Sequence, residues 1–456
     1  MIVHKFGGTS LADAERIRRA AALVRTVEGP RAVVVSALAG VTSHLVELAL
    51  EAVRGAETEV AWRLNALRVR HEEVAAELLA DGPGFDAALA RIGAIFDGLS
   101  AATEDAPEVE DPVLARRLGD RVTAAGEDLS AALMTAALQQ DDLDAVPVDA
   151  RDVVRTDDTF GAAVPLDEET ARRVRQALEP LLEDGRVPVL QGFIGATADG
   201  VTTTLGRGGS DFTAAIVGAA LGADEVCLWT DVDGVLSAEP GDVDGGAVLG
   251  ELGYEEAVEL AYFGARVVHP AAAKHAAARG VSLRVRNAMR PDAPGTVIRP
   301  DTRRAVGVAA VAHKPAVTLI KVRSRPMFMA YGFLARVFEV LARHRLPVDL
   351  VATSHTSTAF TIDAGAGVGP VEEELAGFAE VEIVPDLATV SVVGHGLLQE
   401  PDIAARVFST LGDTPVRLIS QASDVCLSFL VGAEAAPEVV RRLHAALIEP
   451  KGGSDT

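Results

Sequence analysis

The chain has 456 residues, 49% of them apolar, which predicts roughly three domains and a sizeable core. With 66 acidic against 42 basic residues its formal charge is −24, arguing against nucleic acid and anionic membranes as partners and obliging any anion site to bring its own positive charge. No apolar run is long enough to span a bilayer, the N-terminus lacks a signal-peptide pattern, and Cys227 and Cys426 sit in apolar runs, which predicts buried thiols in a reducing cytoplasm.

Residues 2–10, Ile-Val-His-Lys-Phe-Gly-Gly-Thr-Ser, predict a short strand running into a glycine turn. A helix follows from Asp13 to about Val27, with Ile17, Ala20, Ala21 and Val24 on one face. Lys5 falls at the C-terminal end of the strand, where open α/β sheets place ligand-binding residues. A second strand over 32–36 ends in a small, polar segment that includes Thr42. Helical patterns fill most of 44–141, with Pro83, Pro107 and Pro112 as breaks. Within them Gly126-Glu127-Asp128 sets a carboxylate in an otherwise apolar helix, which on its own reads most simply as a solvated position. Further strands at 144–148, 187–192, 225–230 and 281–286 alternate with helices, the pattern of an α/β sandwich.

The densest signals lie in 187–240. Val187 to Leu190 predicts a buried strand, and Asp199-Gly200 a positive-φ turn between two extended arms. Then Gly206, Gly208 and Gly209 surround Arg207, directly before an Ala-rich helix from Phe212 to Leu221. Such a helix points its free N–H groups and positive end back at the loop, a geometry suited to an anion such as a phosphoryl group in transfer. A glycine turn capped by Ser210 or Asp211 accounts for the same residues equally well. His4 and His269 lie beside motifs without a metal-ligand grouping and are expected to be structural.

After about Arg299 an internal repeat appears. Ala335-Arg-Val-Phe338 recurs as Ala405-Arg-Val-Phe408, Val348–Ala352 aligns with Val416–Ser420, and Thr358–Asp363 with Cys426–Val431. Two copies of a small α+β module are expected, with a period too long for a solenoid. Neither copy offers a nucleophile, a metal cluster or a catalytic pair, so both point to ligand sensing or assembly.

Lys5-Phe-Gly-Gly-Thr-Ser10, Gly126-Glu127, Gly192–Gly195, Thr202–Asp211, Thr230–Gly234, Phe263–Pro270 and the twin modules stand in a familiar order and spacing. Together they resemble the aspartate kinases of the amino acid kinase superfamily, with paired C-terminal ACT domains. The proportions are most similar to the single-function, lysine-sensitive type. The resemblance implies an α/β amino acid kinase three-layer sandwich over 1–298. It implies two α+β, ferredoxin-like ACT modules over 299–380 and 381–450, and a tail over 451–456.

The activity so implied is transfer of the γ-phosphoryl group of ATP, used with Mg2+, to the β-carboxylate of L-aspartate, giving 4-phospho-L-aspartate. Lys5, Arg207 and Asp211 become the catalytic candidates, with Asp211 organising Lys5 rather than acting as a base, because the acceptor carboxylate is already ionised. Thr42, Glu127, Phe193, Arg207, Gly208 and Ser210 become the aspartate pocket, where Arg207 takes a carboxylate and Glu127 the α-ammonium. Lys5, Gly7, Gly8, Ser10, Thr230, Asp231, Leu236, Glu239, Arg266 and Val267 become the ATP site, Gly7 and Gly8 through backbone N–H groups. No metal-ligand set is implied. Met327, Gly332, Phe333, Leu334, Asp349, Thr353 and Ser354 match the effector segments, with Asp349 as partner of the ammonium of lysine or threonine. A homodimer or a dimer of dimers is the implied assembly.

The chain departs from the family pattern at Leu236, where a tyrosine is usual, at Gly241, where an arginine is usual, and at Arg266, where a lysine is usual. Weaker or rearranged ATP binding is expected, Gly241 being the largest loss. Ala330 and His355 replace a serine and a glutamate, which blurs the identity of the effector. A non-catalytic amino-acid-sensing paralogue and a kinase for a related carboxylate are the alternatives to aspartate kinase.

Overall fold

The structure, a computed structural model, describes the chain except residues 80, 81, 83, 105, 107, 108, 110, 264–267, 301–303, 325–330, 366, 401, 422 and 450–456. The chain divides into two compact units. The first comprises Met1–Val235, Gly250–Val258 and Val267–Thr302, the second Leu236–Leu249, Glu259–Arg266 and Arg303–Thr456.

The first unit opens with β1 (Ile2–Phe6), α1 (Ala14–Arg25) and β2 (Arg31–Val35). Four helices follow, α2 (Val41–Val53), α3 (Glu57–Leu79), α4 (Phe85–Glu104) and α5 (Pro112–Gln140). Next come β3 (Ala145–Val148), α6 (Ala150–Val153), α7 (Asp167–Glu183) and β4 (Val187–Gln191). The hairpin β5 (Ile194–Ala196) and β6 (Thr202–Thr204) leads into α8 (Gly209–Leu221) and β7 (Glu225–Thr230). Then come β8 (Glu251–Gly253), α9 (Tyr254–Phe263, whose later residues from Glu259 belong to the second unit), α10 (Pro270–Arg279), β9 (Ser282–Asn287) and β10 (Thr296–Arg299).

Eight of these strands form one sheet in the order β3-β4-β2-β1-β7-β9-β10-β8, with only the β9–β10 pair antiparallel. The inner strands are near-continuous apolar runs because helices cover both faces of a parallel sheet. The register sets Lys5 between Val34 of β2 and Leu228 of β7. The core gathers Phe6, Leu38, Leu45, Ile92, Phe96 and Leu129, all at most 1% exposed. Asp13 caps α1 as its sequence position predicts, accepting from the Arg16 N–H at 2.9 Å.

One boundary differs from expectation in a way that matters. The helix after Arg207 starts at Gly209, three residues before Phe212, and its N-cap is Gly208 in the left-handed region at φ +67°. Neither Ser210 nor Asp211 caps it; both stand inside the first turn, and no side chain caps that end. Glycine permits the sharp entry, so the first-turn N–H groups lack a capping side chain.

The second unit is built on β11 (Gly307–Ser324), α11 (Phe333–Arg343), β12 (Val351–Thr353), β13 (Ser357–Asp363) and α12 (Val368–Ala376), then β14 (Ala379–His395), α13 (Asp402–Leu411), β15 (Ile419–Ser420), β16 (Cys426–Gly432) and α14 (Ala436–Leu447). The internal repeat maps onto α11 with α13 and β13 with β16. The two copies share one antiparallel sheet, β12-β13-β11-β14-β16-β15, joined through β11 and β14. Ile320 and Val322 of β11 pack with Val337 and Phe360, whereas Val311 of the same strand packs with Val390, Phe429 and Leu443. Ala238 and Val243 enter the latter core, and Ser237 Oγ lies 2.9 Å from His444 Nε2. Both cysteines are free and buried, and burial pushes both thiols up.

Candidate functional site

Lys5, next to last in β1, reaches the first turn of α8. Its Nζ lies 2.5 Å from Asp211 Oδ1, and the two side chains are only 13% and 14% exposed. An acid in that turn also suits the positive helix end. The pair sets an ammonium beside a helix N-terminus, an arrangement that can hold a phosphoryl group. The flanking glycines play a narrower part than the sequence suggests. The Gly7 N–H donates to the Trp229 carbonyl at 3.1 Å, and Ser10 Oγ donates to the same oxygen at 3.3 Å. Gly7 and Ser10 thus tie the turn to β7, and Gly7 has no N–H left for a ligand. Gly8 is required sterically, since a Cβ there would stand 2.8 Å from the Ala37 carbonyl.

Glu127 is a strongly perturbed group nearby. Gly126 lets α5 approach the β2–α2 turn so closely that a Cβ would lie 2.8 Å from the Ala37 methyl. Glu127 then points inward, 3% exposed, with Oε1 accepting the Ala37 N–H at 3.1 Å. Its Oε2 is buried and has no partner among the described residues. Burial, assisted by the neighbouring Asp128 charge, pushes its pKa up to about 8, against the opposing pull of the Ala37 N–H and of Lys5. The solvated-helix explanation therefore fails.

Asp128 belongs to a network the sequence did not signal. Arg151 donates to both its oxygens at 2.8 and 3.0 Å, and Gln191 Nε2 donates to Oδ1 at 3.0 Å. Arg151 also reaches Thr202 Oγ1 at 3.0 Å, so this ion pair braces α5 against α6 and the hairpin. Partners 23 residues apart leave no local pattern.

Around the glycine loop, contacts are close on every side. A Cβ on Gly192 would lie 2.5 Å from the Ser210 Cβ, and one on Gly209 would lie 2.7 Å from the Phe193 ring. Phe193 holds φ +67°, strained for a non-glycine residue, with its N–H bonded to Thr213 Oγ1 at 3.0 Å. Against Gly208 stands His269, whose Nδ1 accepts the Ala271 N–H at 3.3 Å as the cap of α10. Burial lowers the His269 pKa, with Asp211 acting in the opposite sense. Sequence reasoning took His269 as structural; it is, and it also fixes the loop that carries Arg207. Arg207 itself is exposed and makes no ion pair among the described residues. Thr42 lies in the first turn of α2, entered through Gly40 at φ +80°.

At the end of β7, Thr230 Oγ1 donates to Asp231 Oδ1 at 3.1 Å, and Asn287 Nδ2 donates to the Asp231 carbonyl at 3.3 Å. In the second unit, Leu236 is half-buried and bridges to Val248, while Glu239 is exposed. Arg266, Val267 and Met327 lie outside the described residues.

Of the expected effector residues, Gly332 (φ +81°) is the N-cap of α11, Phe333 is half-buried, and Leu334, Thr353 and Ser354 are exposed. Asp349 is not open. Its side chain is 4% exposed, lies 2.7 Å from Lys314 Nζ and accepts the Tyr262 hydroxyl. Among the described residues no group of three or more His, Cys, Asp or Glu could hold a metal ion, and no helix is long and apolar enough to cross a membrane.

Residues 1–287 match the amino acid kinase family, and residues 390–447 match an ACT domain. Lysine-sensitive aspartokinase 3 of Escherichia coli (strain K12) is 35% identical, the alignment covering 98% of this chain and 99% of the relative. The crystal structure of E. coli aspartokinase III with aspartate and ADP (R-state) superposes with a TM-score of 0.87 at 35% identity, covering 98% of this chain and 100% of the other. Its complex with lysine and aspartate (T-state) gives 0.80 at the same identity and coverage.

Proposed function

The chain belongs to the amino acid kinase family, as an aspartokinase with C-terminal ACT modules, and we propose that Lys5, Glu127, Arg207 and Asp211 carry its transfer of the γ-phosphoryl group of ATP to the β-carboxylate of L-aspartate. The observation that supports this assignment best is the buried Glu127 Oε2, which has no partner among the described residues. Such an oxygen is expensive unless something meets it, and a substrate α-ammonium does so.

The substrate then binds as a zwitterion, with its ammonium on Glu127 and a carboxylate on the exposed guanidinium of Arg207. Thr42, Phe193, Gly208 and Ser210 shape the rest of the pocket. A β-carboxylate oxygen attacks the γ-phosphorus as the bond to the ADP oxygen breaks, and no proton has to be removed. Lys5 and the N-terminus of α8 neutralise the oxygens of the group in transfer, and Asp211 keeps the Lys5 ammonium aimed. Mg2+ fits this chain as a companion of ATP, because a nucleotide's phosphates and water supply most of its ligands and no protein cage is needed. Gly8, Thr230 and Asp231 belong to the nucleotide site in this proposal, with Gly7 and Ser10 shaping its turn.

The ACT modules sense an amino acid, with L-lysine the leading effector, at Met327, Gly332–Leu334, Asp349, Thr353 and Ser354. Modules 299–380 and 381–450 pair across a two-fold in a homodimer, in the cytoplasm. The test is ADP release with MgATP and L-aspartate, on the native chain and on Lys5→Ala and Arg207→Ala. Aspartate-dependent release should fall by about 10²–10³ in Lys5→Ala, and Arg207→Ala should raise KM for aspartate. Unchanged rates in both variants would sink the assignment.

A further inference from the structure

The carboxylate assigned to the effector's ammonium already holds an ammonium from the chain itself. Lys314 Nζ, on β11, lies 2.7 Å from Asp349 Oδ2, while Asp349 Oδ1 accepts the Tyr262 hydroxyl. The Lys314 ammonium also stands 5.0 Å from the centroid of the Tyr262 ring, within cation–π range. With Asp349 only 4% exposed, this is not a solvent-screened surface pair. Lys314 has a second partner at the same distance, Asp363 Oδ1 at 2.7 Å, and that carboxylate is 61% exposed. Burial works against charge on Lys314, but the hydrogen bonds to Asp349 and Asp363 outweigh it and raise its pKa.

We propose that Lys314 is a tethered competitor of the amino acid effector, holding Asp349 until a free amino acid displaces it. The exchange swaps one ammonium for another at Asp349, so no buried carboxylate is left bare at the end of it. Lys314 swings on a flexible four-carbon stem and keeps its pairing with the exposed Asp363. A tethered group acts at a local concentration in the millimolar range, so Lys314 sets the level that a free effector must exceed. Effector sensitivity is therefore written partly at residue 314, outside the segments that touch the effector. This rests on Asp349 being the effector's carboxylate.

The experiment is calorimetric titration of the full chain with L-lysine, for the native sequence, Lys314→Met, Lys314→Gln and Asp349→Asn. Both Lys314 variants should bind L-lysine about tenfold more tightly than the native chain, and Asp349→Asn should not bind it. Basal aspartate-dependent ADP release should be unchanged in the Lys314 variants, since Lys314 is outside the transfer machinery. If removal of the Lys314 charge destabilises the fold, added L-lysine should restore the melting temperature. Equal or weaker L-lysine binding in the Lys314 variants, with Asp349→Asn still silent, overturns the tether and leaves the effector site standing. Undiminished binding in Asp349→Asn overturns the effector site and the tether with it. Absence of L-lysine binding in both the native chain and Lys314→Met also overturns the tether.

Discussion

Glu127 should make aspartate binding depend on pH in the neutral range. Its carboxyl titrates at about 8 because burial disfavours the charged form, yet the proposed partner is an ammonium that needs the charge. At pH 7 about one molecule in eleven carries the ionised form, so aspartate binding takes up a proton-release cost of about 1.4 kcal/mol per unit of pH below the pKa. KM for aspartate should therefore fall roughly 25-fold between pH 6.5 and 8.5 and level off above that. Initial rates of ADP release at saturating MgATP, with aspartate varied at each pH, give this profile directly. Glu127→Gln keeps an acceptor for the Ala37 N–H but has nothing to ionise, so its KM should be high and flat across the range, with a loss of about 10- to 150-fold at pH 8.5. A flat native profile, or the same slope in Glu127→Gln, refutes the role. The shift also has a sign for stability. Because the folded pKa is raised above the unfolded value, the contribution is fully present below about pH 4.5 and is lost as pH rises towards 8, opposite to an ordinary surface carboxylate. Saturating aspartate should offset part of that loss.

Gly208→Ala should disable the loop, because φ is +67° and a Cβ would sit 2.2 Å from the His269 ring; a fall in kcat with about 1 kcal/mol or more of lost stability is expected. Adding His269→Ala to that variant should recover part of the stability by relieving the clash, measured by thermal unfolding. Gly241→Arg should be tolerated, since no atom lies within 4 Å of a Cβ there and its φ is outside the left-handed region. Restoring the side chain usual in the family should lower KM for ATP about tenfold, and an unchanged KM would show that Gly241 is no defect. Phe96→Ala, far from Lys5 in sequence and 1% exposed, should cost about 3–5 kcal/mol in urea unfolding.

Much of the architecture is legible in the residues themselves. Apolar runs such as 187–190 and 226–229 fit strands covered on both faces, and Asp13 and Gly200 announce a helix start and a turn by their own chemistry. The repeat exposes two related modules because equal cores demand equal patterns. Lys5, Arg207 and Asp211 were nameable since a short glycine-flanked segment carries them, and local backbone geometry is a local property. Other features depend on neighbours distant in the chain. Whether Glu127 is solvated or buried is decided by Gly126 letting α5 close onto Ala37, ninety residues away. Whether Gly7 offers its N–H is decided by Trp229 on the adjoining strand, and whether Asp349 stands open is decided by Lys314 and Tyr262. Periodicity and turn chemistry act over a few residues and determine elements and motifs; burial, charge pairing and the occupancy of a donor or acceptor arise only when the sheet and helices bring remote side chains together.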